Sequence, residues 1–280
     1  MFCQNKRSAA ARWRTFGPGI VTSFAKATAG KQFTNSPITN PPIHQSPTNQ
    51  SPPVILSKIN ASIAEYKKWL ETTRHHAFVH KWESVQHFQN HWDLGAADPA
   101  AMFEGSFHNT ETRRLWQTEN WQPKRIMTEF WRFDPLTVRL MFDDLFNETR
   151  EVEGRISRFL FGCDTVLRDY KKAKSTTIVN NHDHGDFQMI ALYLAFRYPE
   201  SYAPYDFAIF QKAMTRLGAH DIPQSNDLTR YFKVLRTLMN FLEKDGEVLP
   251  AMQKHLHPKR HFQGKTLLLA EDFCRFVATD

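Results

Sequence analysis

The densest group of side chains able to do chemistry lies at residues 182–186, His-Asp-His-Gly-Asp. Two imidazoles and a carboxylate, His182, His184 and Asp186, form a ligand set suited to zinc, which polarises a water for attack. The spacing follows the HxHxDH pattern of metallo-β-lactamase-like hydrolases, with Thr-Thr-Ile-Val before it as a strand and an apolar helix after it. The last position of that pattern is Phe187 instead of His, no Gly-Gly follows, and the β-rich flanks of that fold are missing. A polar loop in which Asp183 or Asp186 caps the next helix accounts for the same residues, and short motifs often occur by chance. The loop is therefore the favoured reading, and a metal-dependent hydrolase on His182, His184 and Asp186 is the alternative. A phosphohydrolase of the HD type fits less well, since it needs an earlier His and a distant Asp on helices.

Other chemical signals are weaker. Gly264-Lys265-Thr266 copies the end of a phosphate-binding P-loop, but that loop needs a glycine at position 259, where Lys stands, and an apolar strand before it. Nucleotide binding is rejected, and Gly264 reads as the turn before the last helix. No G-x-S-x-G is present, and neither Cys163 nor Cys274 has a His beside it in sequence. Asp143-Asp144 reads as a solvated helix face; His75-His76 and His255, His257 and His261 read as polar surface. Basic and aromatic residues interleave twice, in Arg230, Tyr231, Lys233 and Arg236 on a helix, and in His257-Pro-Lys259-Arg260-His261 with Lys265. Residues three apart on a helix share a face. The two clusters together are the candidate nucleic-acid surface, through phosphate contacts.

The elements that position these residues are helical. Ile59, Ile63, Tyr66 and Leu70 recur at helical spacing, as do Phe78, Trp82, Val85 and Trp92. Asp98-Pro99 and Asp134-Pro135 each read as an N-cap followed by proline at the first helical position, the second opening a helix with Val138, Met141, Phe142 and Leu145 on one face. Further helices are expected at 152–172, 186–198, 204–217, 228–242, 247–255 and 264–277. The 186–198 segment is apolar nearly all round, as a central buried helix should be. The one strand candidate, Thr176 to Val179, is too short to build a sheet. The expected fold is all-α: a single domain of about ten helices over residues 54–280, following a disordered low-complexity tail at 1–53.

Composition supports this division. The formal net charge is +7, but residues 1–56 carry six Lys or Arg and no Asp or Glu, leaving 30 basic against 29 acidic residues in the rest. A uniformly basic nucleic-acid surface is thus not supported, and a local basic face remains open. With 41% hydrophobic and 13% aromatic residues the patterned part can build a core. Residues 33–53 read FTNSPITNPPIHQSPTNQSPP, and seven of the 15 prolines precede residue 54, a composition that buries too little to fold. The acid-free stretch MFCQNKRSAAARWRTF is similar to an organelle transit peptide. A start placed too far upstream is the favoured account, because globular patterning begins abruptly at Val54. Cys163 and Cys274 lie in apolar helical patterns and read as buried free thiols of a reducing, cytoplasmic compartment. No run of 18 apolar residues exists, so no membrane span is expected.

Six stretches, FQNHWDLGAADPAAMFEGSF, LWQTENWQPKRIMTEF, RLMFDDLFNET, ALYLAFRYPESYAPYDFAIFQKAM, YFKVLRTLMNFL and FQGKTLLLAEDFCRFVA, spanning about residues 80–277, resemble in their order the N-terminal helical region of bacterial AAA-family proteins of the McrB type. Those proteins are the nucleotide-hydrolysing subunits of modification-dependent restriction systems. The resemblance implies a front module without the motor domain, which would begin where this chain stops at Asp280. It further implies target recognition, usually of DNA, with an AAA-family ATPase domain or a restriction nuclease subunit as partner. The expectation is a non-catalytic, cofactor-free recognition or assembly module, with Arg230, Lys233, Arg236, Lys259, Arg260 and Lys265 as candidate DNA contacts. The alternatives are a protein-interaction scaffold and the metal-dependent hydrolase.

Overall fold

The computed structural model describes residues 52–73, 79–115, 122–175 and 181–279, and these are organised as helices without a strand. The chain enters through α1 (Pro52–Thr72), α2 (His80–His91), α3 (Pro99–Ser106) and α4 (Thr110–Leu115). It continues through α5 (Pro123–Phe133), α6 (Pro135–Leu145), α7 (Val152–Lys174) and α8 (Gln188–Arg197). It ends with α9 (Phe207–Leu217), α10 (Leu228–Asp245), α11 (Val248–Gln253) and α12 (Leu268–Thr279). The all-α expectation holds, with twelve helices among the described residues where about ten were expected. The strand candidate at 176–179, His75-His76, Phe78 and residues 1–51 of the tail lie outside the described residues. Patterned structure starts two residues before Val54, at Pro52, where proline is tolerated in the first turn.

Local chemistry explains where the helices begin. Asp98 Oδ1 accepts from Ala101 N at 3.0 Å and Asp134 Oδ1 from Thr137 N at 3.0 Å, and proline follows each. Asp206 and Asp227 cap α9 and α10 in the same way, which delays α9 from the expected Pro204 to Phe207. The last helix starts at Leu268 instead of Gly264. Leu267 N donates to Pro199 O at 2.7 Å and Thr266 Oγ1 accepts from Leu268 N, so residues 264–267 form a separate polar turn. Gly218 and Gly246, both at positive φ, close α9 and α10.

At the centre stands α8, in which every residue from Met189 to Phe196 is buried. Phe88, Phe107, Phe142 and Phe159 surround Tyr193 and Phe196, with ring centroids 5.1 Å apart for Phe142–Tyr193 and 5.2 Å for Phe88–Phe107. Each such pair adds about 0.5–1.5 kcal/mol beyond area burial. Helix α6 packs along α7, and α12 along α9 and α10.

A second, polar core joins α1, α2 and α12. Lys81 pairs with Glu271 and lies 3.7 Å from Asp272, Tyr66 donates to Asp272 at 2.9 Å, and Arg275 pairs with Glu271. Two cations balance two carboxylates there, as burial demands. Asp144, expected on a solvated face, is largely covered and takes Arg150 and Arg158, tying α6 to the start of α7.

Candidate metal centre and basic face

The 181–187 loop enters α8 under backbone constraint. Asp183 (φ 58°) and Phe187 (φ 65°) are two of the three non-glycine residues at positive φ among the described residues, and they bracket His184. A bulky side chain in this region costs about 1–3 kcal/mol and persists only where surrounding contacts over-determine it. Those contacts are present: Asp183 Oδ2 accepts from Gln122 N at 3.2 Å, and Phe187 N donates to His184 O at 3.2 Å.

The two imidazoles converge, but with a different third partner from the one the sequence places beside them. Asp186 turns to the start of α8, where its carboxylate accepts from Gln188 N at 3.1 Å and from the Gln188 amide at 3.2 Å. It is the helix-entry residue of the favoured reading and is not among the converging ligand atoms. The third group is Cys163, from the middle of α7. One ligand atom each of Cys163, His182 and His184 lie within 4.8 Å of one another, and all three residues are buried.

Hydrogen bonds set the tautomers. His184 Nδ1 faces the His182 carbonyl, which only accepts, so Nδ1 carries the proton and Nε2 presents a lone pair to the Tyr193 hydroxyl at 2.8 Å. The backbone N–H of His184 donates to His182 Nδ1 at 3.2 Å, so His182 carries its proton on Nε2, 3.2 Å from the Asp164 carboxylate. Burial, with His182 adding to it, pushes the His184 imidazolium down to about 3, so the ring is neutral at neutral pH. Burial pushes the Cys163 thiol far up. Sequence reading takes Cys163 as a free thiol, which it is, and misses its neighbours. The missed signal is Tyr193, a lone hydroxyl in a hydrocarbon helix, which needs a buried partner.

The six basic candidates fare unequally. Lys233 and Arg236 are exposed on α10, and Arg236 Nη1 donates to Ser201 O at 3.1 Å. Arg230 is half-buried and paired with Asp221 at 2.8 Å; Arg260 pairs with Glu83 at 3.2 Å. Lys259 and Lys265 are exposed. Tyr231 offers no stacking face: it is buried between Tyr205 and Phe210 and donates to Pro204 O. His261 is likewise not surface but buried, accepting from His257 N at 2.7 Å.

Lys265 of the second cluster lines a pocket of about 230 Å³, which α10 reaches through Met239 and Glu243. Its floor is Trp82, with Met239, Met252 and Leu256 on the walls; Lys265, Glu200 and Glu243 lie on the rim. Gln253 and Gln263, joined by an amide hydrogen bond of 2.8 Å, present further polar atoms. Leu267 N donates to Pro199 O and Arg236 donates to Ser201 O, so the 264–267 turn and α10 both bond to residues 199–201. Leu256 also lines a neighbouring pocket with Arg260 and His257.

Comparison of the chain with protein-family models, with curated proteins and with solved structures finds no match in any of the three. No helix among the described residues is long and apolar enough to cross a membrane.

Proposed function

We propose that this chain is a non-catalytic DNA-recognition module of the McrB-type restriction kind. In this reading Lys233, Arg236 and Lys265 hold phosphates, and the pocket floored by Trp82 takes one base. The observation that carries it is the apolar pocket lined by exposed Lys265 and by α10, the helix that also carries exposed Lys233 and Arg236. Phosphates need a few cations and not a basic protein, so near-neutrality of residues 57–280 is compatible. The rim carboxylates Glu200 and Glu243 would repel phosphate but can accept from the exocyclic amine of a base, and the Gln253 and Gln263 amides can pair with its edge. An extruded base is read in this manner, by edge hydrogen bonds within apolar walls. Cys163 and Cys274, both buried free thiols, suit the reducing cytoplasm in which such a module would work.

The test is a fluorescence-anisotropy titration of the full chain with methylated and unmethylated duplex DNA across a salt series. Binding should weaken as salt rises and prefer one duplex. The Lys233→Ala/Arg236→Ala/Lys265→Ala variant should flatten the log–log salt slope by up to about 3, close to one per lost phosphate contact. Gln263→Ala should lower discrimination and leave the slope in place. No binding at low salt, or an unchanged slope in the triple variant, would overturn this reading.

One observation favours a protein-interaction scaffold as the second reading. Leu136 and Leu140, four apart on α6, and Phe161 on the adjoining α7 are about 70% exposed (73%, 68% and 71%). Co-purification with an AAA-family ATPase subunit, lost in Phe161→Ser and kept in Lys265→Ala, would support it.

A further inference from the structure

A buried cysteine and two buried histidines drawn to one point could be packing alone or a place for an ion. The hydrogen bonds of the two rings decide what they offer. In protein zinc sites a ligating imidazole donates its other N–H to a carboxylate or carbonyl, which fixes the tautomer and aims the lone pair. Both rings already have that arrangement: His184 Nδ1–H points to the His182 carbonyl, and His182 Nε2–H points to Asp164. The lone pairs left over, on His184 Nε2 and His182 Nδ1, are held by single donors, the Tyr193 hydroxyl and one backbone N–H. A cation entering the cluster displaces two hydrogen bonds and leaves the supporting pair intact.

We propose that Cys163, His182 and His184 bind one zinc ion in a closed structural site that fastens the 181–187 loop to the middle of α7. Thiolate with imidazole is a borderline-soft donor set that suits zinc and disfavours magnesium or calcium. With Zn–N near 2.0 Å and Zn–S near 2.3 Å, two nitrogens and one sulfur in tetrahedral positions stand about 3.3–3.5 Å apart. The present separations, up to 4.8 Å, require closure by about 1 Å, within reach of side-chain torsions. The Tyr193 hydroxyl, 2.8 Å from His184 Nε2, occupies the lone pair that the ion would take, so it competes with binding and is not counted among the ligands. Binding releases the Cys163 thiol proton to solvent and forms the Zn–S bond, with no change of oxidation state; the ion's charge offsets the burial that otherwise keeps the thiol protonated. Cys163 and His184 are fully buried and His182 nearly so, which leaves no open face for substrate and separates this site from a hydrolytic one. The loop's positive-φ residues, Asp183 and Phe187, are the strain that such a fastening holds in place.

The test uses the purified full chain. Metal analysis should find about one zinc per chain. Cobalt(II) titration of the chelator-stripped protein should give a thiolate-to-cobalt charge-transfer band that saturates near one equivalent. Cys163→Ser should abolish the band and weaken zinc binding at least tenfold. His182→Ala, which removes a side chain at the edge of the core, should weaken it comparably and keep the helical circular-dichroism spectrum. Tyr193→Phe frees the His184 lone pair and should leave zinc affinity equal or higher; a cluster held for packing alone would lose stability in that variant with no response to zinc. No charge-transfer band, or zinc retained equally by the Cys163→Ser/His182→Ala double variant, would overturn the proposal. DNA binding is read separately, so failure here leaves the recognition reading standing.

Discussion

Replacing Lys81 by methionine tests the polar core that joins α1, α2 and α12. Lys81, Glu271 and Asp272 keep side-chain exposures of 4%, 4% and 6%, so water screens none of them. In the wild type Lys81 and Arg275 balance Glu271 and Asp272; in Lys81→Met only Arg275 remains, and one buried negative charge is uncompensated. Removing one partner of a buried pair costs about 3–5 kcal/mol. For a domain of this size that corresponds to a fall in Tm of roughly 6–20 °C. Burial already holds the Asp272 carboxyl above the usual range, against the pull of Lys81 and Arg275 and of the Tyr66 hydrogen bond. A raised folded pKa favours the protonated form, so Asp272 can shed the surplus charge as pH falls. The destabilisation should therefore be largest at alkaline pH and shrink toward acid. Lys81→Met/Glu271→Gln removes both charges and should recover much of the loss, because a neutral buried pair needs no counter-ion. Urea denaturation at several pH values, with calorimetry on the same samples, measures all of this. A loss below about 1 kcal/mol, or a double variant no more stable than Lys81→Met, would refute the reasoning.

Two further perturbations follow from the same structure. Burial works to raise the Glu111 carboxyl, but the His80 hydrogen bond and the nearby Lys81 overcome it and hold Glu111 at about 2, against an ordinary 4.5. A lowered folded pKa contributes stability that is complete above pH 4.5 and lost as pH falls toward 2, on the order of 3 kcal/mol in all, so Glu111→Gln should flatten the acid limb of the stability curve; parallel acid limbs in urea titrations would show the pairing is not there. Asp134→Ala removes the acceptor of the Thr137 N–H at the start of α6 and should cost about 1 kcal/mol, read as a shift of the urea midpoint at constant slope.

Which parts of this were legible beforehand depends on how local the physics is. Ile59, Ile63, Tyr66 and Leu70 are all buried, as their spacing requires, and α8 is buried through Phe196 because no polar face interrupts it. The Asp-Pro pairs at 98 and 134 mark true caps because the capping hydrogen bond spans three residues. Helix starts at 188, 207 and 268 lay later than expected. The backbone there spends its donors elsewhere, on Asp186, on Asp206 and on the Pro199 carbonyl, and periodicity does not register such choices. In sequence Tyr231 belongs to a basic-aromatic face, yet helix geometry turns it inward while Lys233 stays out.

The site shows the limit most clearly. His182, His184 and Asp186 attract attention because they are neighbours in sequence, but neighbours in a loop diverge as readily as they converge, and Asp186 goes to the helix entry. Cys163 lies 19 residues before His182, on another helix, and its apolar surroundings read the same way whether the thiol merely packs or awaits an ion. Burial erases that distinction from composition, since a structural metal ligand is hidden from water as a core residue is. What separates the two is orientation: which ring nitrogen is protonated and toward what the other points. Tyr193, Asp164 and the His182 carbonyl settle this from α7, α8 and the loop between them, and only the folded chain brings them to one place.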